Sequence, residues 1–136
     1  MSQQNVEIVR RFADLATGAR DFDAAFQLAH EDVVFDWRDS RAPYSGLYQG
    51  RGECLAAWRV WLEAWDEWNP EVKEAIDVDP ETVVVVTEIH ARGKGSGVPV
   101  RAGGASVWRV RDGKIAYAKL FQSRAEALAG VSRPAT

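Results

Sequence analysis

The sequence predicts an α+β domain: a strongly curved antiparallel sheet wrapped around helices from the N-terminal half. Three observations carry this. Apolar residues recur at helical spacing in the first half of the chain. The second half reads as successive strands, one with four consecutive valines. Arg111-Asp112-Gly113 then joins two apolar arms, and Asp-Gly between strand-like runs signals a hairpin. These strands outnumber what one helix can cover, so the sheet must curve around the helices.

Asn5–Thr17 places Val6, Val9, Phe12, Ala13 and Ala16 on one helical face, and Gly18 ends the run. Phe22–His30 reads as a short second helix, capped by Asp21 or Asp23, with His30 favoured near its C-terminal end by the dipole. Asp32–Trp37 is a short strand whose end carries Asp36 between Phe35 and Trp37. Arg38–Gly52 has loop composition, with Tyr44 and Tyr48 inside it. Glu53–Trp68 is the clearest helix, with Cys54, Trp58, Trp61, Leu62 and Trp65 in one stripe, ended by Pro70. Such a stripe is either core or the wall of a wide pocket.

Glu71–Val78 reads as an edge-like strand, and Asp79-Pro80 as a turn. Thr82–Ala91 alternates so that Val84, Val86, Glu88, His90 and Arg92 share a face. Gly93–Gly97 turns into Val98–Val110, where Gly103-Gly104 would bend the strand. A two-residue turn at Asp112-Gly113 would pair Trp108 with Tyr117. A three-residue turn with Gly113 left-handed in a bulge would pair it with Ala116. The second is preferred, because it sets Ser106, Trp108 and Val110 over small Ala116 and Ala118. Val107, Ile115, Tyr117 and Phe121 then share the other face. Both faces are largely apolar, so one cover would be helices and the other a second copy of the chain. Ser123–Val131 forms a closing helix. The expected organisation is one domain over residues 1–131 and a tail over 132–136.

The chain has 136 residues, 46% hydrophobic and 27% charged, which suits an ordinary globule. Net charge is −3 with signs interspersed, so no nucleic-acid surface is expected. No run approaches a membrane span. The single Cys54 fits a reducing compartment, and no apolar secretion segment opens the chain, so the expectation is cytoplasmic. Two histidines and one cysteine give no metal-ligand spacing, and neither metal nor cofactor is expected. Cys54 heads an apolar stripe with no base arranged beside it, against a nucleophile. Gly93–Gly97 joins strand to strand and lacks the helix N-terminus of a phosphate loop.

Several pieces, in order, resemble the SnoaL-like branch of the nuclear transport factor 2-like superfamily, which includes polyketide cyclases and is related to ketosteroid isomerase. They are Val9-Arg10-Arg11-Phe12, His30 through Trp37, Tyr48-Gln49-Gly50-Arg51 and Gly93–Gly97. Val107 through Ile115 and Glu126-Ala127-Leu128 complete the set. The resemblance implies a cone: a curved antiparallel sheet around three helices, a deep apolar cavity, and homodimers formed through the outer sheet face. It also implies site positions. The isomerase's Asp base matches Asp36, its Tyr matches Phe12, and its protonated Asp matches Ser106. Trp58 falls on a further pocket position. Without the two strong oxyanion donors an efficient steroid isomerase is not expected, although Ser106 and the Trp58 indole can each donate a hydrogen bond. The cyclases imply carboxylate-driven proton transfer, for which Asp36 with His90 is a candidate pair. Glu88, Arg92 and Arg101 do not make the triad of the scaffold's epoxide hydrolases.

Asp36 has two readings: a base whose pKa is raised by its apolar neighbours, or a strand-end residue that faces solvent or caps a turn. His90 also has two: a proton shuttle, or part of a polar cluster on the outer sheet face. The functional expectation is cofactor-free isomerase- or cyclase-like acid–base chemistry on an apolar carbonyl compound. Asp36 would be the base, with Trp37, Trp58, Trp61 and Trp108 shaping the cavity and Ser106 and Tyr44 orienting the ligand. The alternatives are a non-catalytic ligand-binding or dimerisation module and a structural homodimer with a filled core.

Overall fold

The computed structural model describes residues 2–18, 21–38, 46–121 and 123–132. Helix α1 (Ser2–Ala13) continues into a π-helical turn (Asp14–Gly18), followed by α2 (Phe22–Phe26) and β1 (Ala29–Asp36). Strand β2 (Leu47–Gln49) and helix α3 (Arg51–Glu63) come next. Then follow β3 (Trp65–Asp79), β4 (Thr82–Gly93), β5 (Pro99–Arg111), β6 (Lys114–Phe121) and α4 (Arg124–Ser132). One curved, open sheet has the order β2-β1-β6-β5-β4-β3. Its neighbours are antiparallel except β1 and β6, which run parallel.

The α+β class and the segregation of helices hold; several element boundaries differ. Asp21 caps α2, accepting from the Ala24 amide at 3.1 Å, but the helix stops at Phe26. Pairing of Ala29 with Ile115 draws the chain into β1, so His30 is a strand residue. The expected loop contains the short strand β2. The predicted Glu53–Trp68 helix ends five residues early. The Ala64 amide closes it on the Trp61 carbonyl at 3.2 Å, and Trp65 and Trp68 enter β3 opposite Gly93 and Ala91. Sheet pairing overrides helical periodicity there. Pro70 does not break a helix; it lies in the edge strand β3, where its missing N–H is tolerated.

The β5–β6 hairpin takes neither expected register. Arg111 pairs with Lys114 across a two-residue turn, with Asp112 at φ 54° and Gly113 at φ 77°. Both central residues are left-handed, as a type I′ turn requires. A register shift then leaves Ala116 unpaired, so Trp108 faces Ala118. The two-residue turn sets Ile115 opposite Val110 on the helix-facing side, and the bulge turns Tyr117 to the outer side opposite Arg109.

Two apolar layers result. The helix-facing layer joins Val9, Phe12, Phe26, Val33, Phe35, Val83, Val85, Trp108 and Ile115. A smaller outer layer packs α4 residue Ala127 on Val84, Ala105 and Val107. Helix α4 therefore covers part of the face expected to meet a second copy. No described helix is long and apolar enough to cross a membrane.

Candidate functional site

The helix-facing side of the sheet gathers aromatic rings from four elements. Phe12 on α1 and Phe35 on β1 touch each other, and each touches both Trp58 on α3 and Trp108 on β5, with Trp37 beyond the end of β1. Centroid separations are 6.1 Å for Phe12–Trp58, 5.6 Å for Phe12–Trp108, 5.7 Å for Trp37–Trp58 and 6.2 Å for Phe35–Trp108. Alternation along β1 sends Val33, Phe35 and Trp37 to this side. On β5 the same rule brings Ser106 and Trp108. Phe12, Trp37, Trp58, Ser106 and Trp108 thus lie on one side of the sheet.

Ser106 is buried, and its Oγ accepts the Trp108 indole N–H at 2.7 Å. That leaves the Ser106 hydroxyl able to donate. The Trp58 indole nitrogen is also buried and, like that of Trp65, has no hydrogen-bond partner among the described residues. Buried donors are nearly always paired, and leaving one unpaired costs roughly 1–3 kcal/mol.

Asp36 stands elsewhere. It pairs with Lys119, which pairs with Val107, which pairs with Val84. Val84 and Val107 belong to the outer layer under α4, so Asp36 lies on the outer face, away from Trp58. Its side chain is 4% exposed and ion-paired to Arg38 at 2.9 Å, with Lys119 at 3.8 Å. Hydrogen bonds from the Arg38 side chain, opposed by burial, hold its pKa below the usual carboxylate value. The expectation of a raised pKa is thereby corrected: the neighbouring guanidinium outweighs the loss of water. The Arg38 amide also donates to Asp36 Oδ1 at 3.2 Å, the turn-capping geometry of the other reading.

His90 is also on the outer face, with Nε2 at 3.2 Å from Glu88 and 3.6 Å from Glu71. The row through Asp36 reaches β4 at Val84, and His90 is six residues further along. At ~3.3 Å per residue that is roughly 20 Å along the strand. Asp36 and His90 are not brought together. Glu71, Glu88 and His90 offer ligand atoms within 4.8 Å of one another, but Lys73 and Arg101 already bind the carboxylates.

Trp61 packs on the edge of the aromatic group and closes a second one with Trp65 and Trp68, at 5.6 and 5.1 Å. Tyr44 lies outside the described residues. Cys54 is fully buried, and desolvation pushes its thiol up to about 11, so it is no nucleophile.

The two described cavities do not lie between the sheet and α1, α2 or α3. One of about 400 Å³ is bounded by the outer face of β5 and β6 and by α4. Another, of about 420 Å³, lies around His90, Arg92 and Arg101. Neither of these two cavities is lined by Trp58 or Trp108, whose rings pack against Phe12 and Phe35. The residues missed in the sequence are those of the first cavity: Arg109, Tyr117 and Lys119. Their grouping follows from the bulge at Ala116, which has no sequence marker.

A six-stranded open sheet carrying three helices on its concave side, with an aromatic site between them, is the architecture of the nuclear transport factor 2-like proteins. Residues 9–118 match the SnoaL-like domain, and the chain belongs to that family. No protein of curated function matches the sequence significantly. Among solved structures, the chain is similar to a candidate SnoaL-like polyketide cyclase from Jannaschia sp. CCS1, with 20% identity, a TM-score of 0.77 and coverage of 99% of this chain and 96% of that one. It is similar to a Mycobacterium tuberculosis protein in complex with estradiol-17β-hemisuccinate, with 16% identity, a TM-score of 0.75 and coverage of 92% and 97%. It is also similar to TerC crystallised with polyporic acid, with 16% identity, a TM-score of 0.73 and coverage of 96% and 99%. At these identities the likeness is one of fold.

Proposed function

We propose that the protein binds an apolar, ring-bearing small molecule at the helix-facing aromatic cluster, without catalysing proton transfer there. The carrying observation is the buried, unpartnered indole N–H of Trp58. A carbonyl or quinone oxygen would accept from it, and the Ser106 hydroxyl offers a second donor. Phe12, Trp37 and Trp108 supply flat apolar surface, and a ligand enters as these rings part. Two structural relatives hold ring-bearing ligands, a steroid ester and polyporic acid, which supports the ligand class.

The isomerase or cyclase reading keeps the same donors but needs a base. Among the described residues, Asp36 is the one buried carboxylate, and no histidine is buried. Asp36 is on the other face, and its lowered pKa makes it a weaker base than a free aspartate. Binding is therefore the reading the geometry favours. Calorimetry with menadione and with methylnaphthalene, a hydrocarbon of similar shape, tests it. Menadione should bind more tightly, Trp58→Phe should remove the difference, and Asp36→Asn should leave it intact. Equal affinity for the two probes in the wild-type protein would reject it. A homodimer through the part of the outer sheet face that α4 does not cover is also proposed, and sedimentation equilibrium tests it.

A further inference from the structure

The cavity between α4 and the outer face of β5 and β6 has no part in the reading above. Its floor is set by strand register: Arg109 lies opposite Tyr117, and Val107 opposite Lys119. Phe121 closes one end. A Cβ at Gly130 would come within 2.7 Å of the Phe121 ring, so glycine there lets the ring seat against α4. The opposite wall is α4, through Ala129 and Val131.

Charge within this groove is unevenly used. Lys119 is beside Asp36 and over the Phe121 ring. The Arg109 guanidinium stacks on Tyr117 at 5.5 Å and, among the described residues, makes no hydrogen bond or ion pair. Stacking spends only the face of a guanidinium, leaving its N–H edge to meet a carboxylate in bidentate fashion. The apolar floor beside it suits a flat ring. Glu126 in the helix wall disfavours a second negative group on the ligand.

We infer that this outer-face groove is a second binding site, distinct from the aromatic cluster, for a planar aromatic monocarboxylate. The ring lies over Val107 and against Phe121, and the carboxylate meets the Arg109 edge. Because Arg109 is exposed, replacing it leaves the fold intact.

Titration calorimetry with naphthoate, and with neutral naphthamide as control, tests the inference on the full chain. Naphthoate should bind with sub-millimolar affinity and naphthamide about tenfold more weakly or worse. Arg109→Gln should weaken naphthoate by about tenfold or more, with Arg109→Lys between. Trp58→Phe should leave naphthoate binding unchanged, so failure of the interior reading does not touch this one. Absence of naphthoate binding, equal binding to Arg109→Gln, or loss in Trp58→Phe would each overturn it. So would a dimer in sedimentation that Arg109→Glu dissociates while naphthoate never binds, since a second copy would then be the occupant.

Discussion

Arg38 grips Asp36 from two residues along the chain, with Nε at 3.0 Å, Nη2 at 2.9 Å and its own amide at 3.2 Å. Lys119 approaches from β6. The carboxylate therefore ties the end of β1 to its parallel neighbour. This is the work of a structural anchor, and it gives the first prediction a definite sign.

A carboxylate whose pKa is lower folded than unfolded stabilises the fold fully above its unfolded value, about 3.9. That stabilisation is lost as pH falls through the folded value. Asp36→Asn should thus lower unfolding free energy by roughly 1.5–3 kcal/mol at neutral pH, the range for hydrogen bonds to charged groups. Urea denaturation at neutral pH and in acid checks it. The gap between wild type and variant should narrow below about pH 4. A gap that widens in acid would mean the carboxylate is strained rather than held.

Ser106 accepts the Trp108 indole N–H in the interior. Ser106→Ala strands that donor and should cost roughly 1–3 kcal/mol. Adding Trp108→Phe removes the donor too, so the double variant should lose less than the sum of the single variants. Additive losses in chemical denaturation would show that the bond contributes nothing.

Asp112 holds φ at 54° in the type I′ turn. Asp112→Ala should destabilise the hairpin by about 1–2 kcal/mol, whereas Asp112→Gly should be tolerated. Thermal unfolding of the two variants separates backbone strain from loss of the side chain.

Much of this fold was legible because hydrophobic periodicity is local. The stripe from Val9 to Ala16 along α1 and its π-helical turn, the valine-rich β4 and the Asp112-Gly113 turn all announce themselves in a few residues. What was not legible depended on partners distant in sequence. Nothing between Glu63 and Trp68 marks the end of α3; pairing with Gly93 and Ala91 decides it. The bulge at Ala116 likewise follows from register. The aromatic residues singled out in the sequence, Phe12, Trp37, Trp58 and Trp108, do gather between the sheet and the helices, with Ser106 beside Trp108. Asp36 was misjudged because its apolar neighbours in sequence point to the opposite side of the strand, and its real neighbours are Arg38 and Lys119.

Cys54 should behave as an inert core thiol. With a pKa of about 11 and no exposure, it should resist thiol-specific reagents in the native protein at mildly alkaline pH and react promptly once unfolded. Rapid native labelling would indicate that the segment around β2 and α3 opens readily.

The most direct test of the account follows the indole N–H resonance of Trp58 in a nitrogen-15 correlation spectrum during a menadione titration, with assignment by Trp58→Phe. Binding through this donor should move the Trp58 signal saturably downfield while that of Trp65, in the other tryptophan group, stays in place. A Trp58 signal that holds still at saturating menadione would contradict the assignment of this cluster as the ligand site.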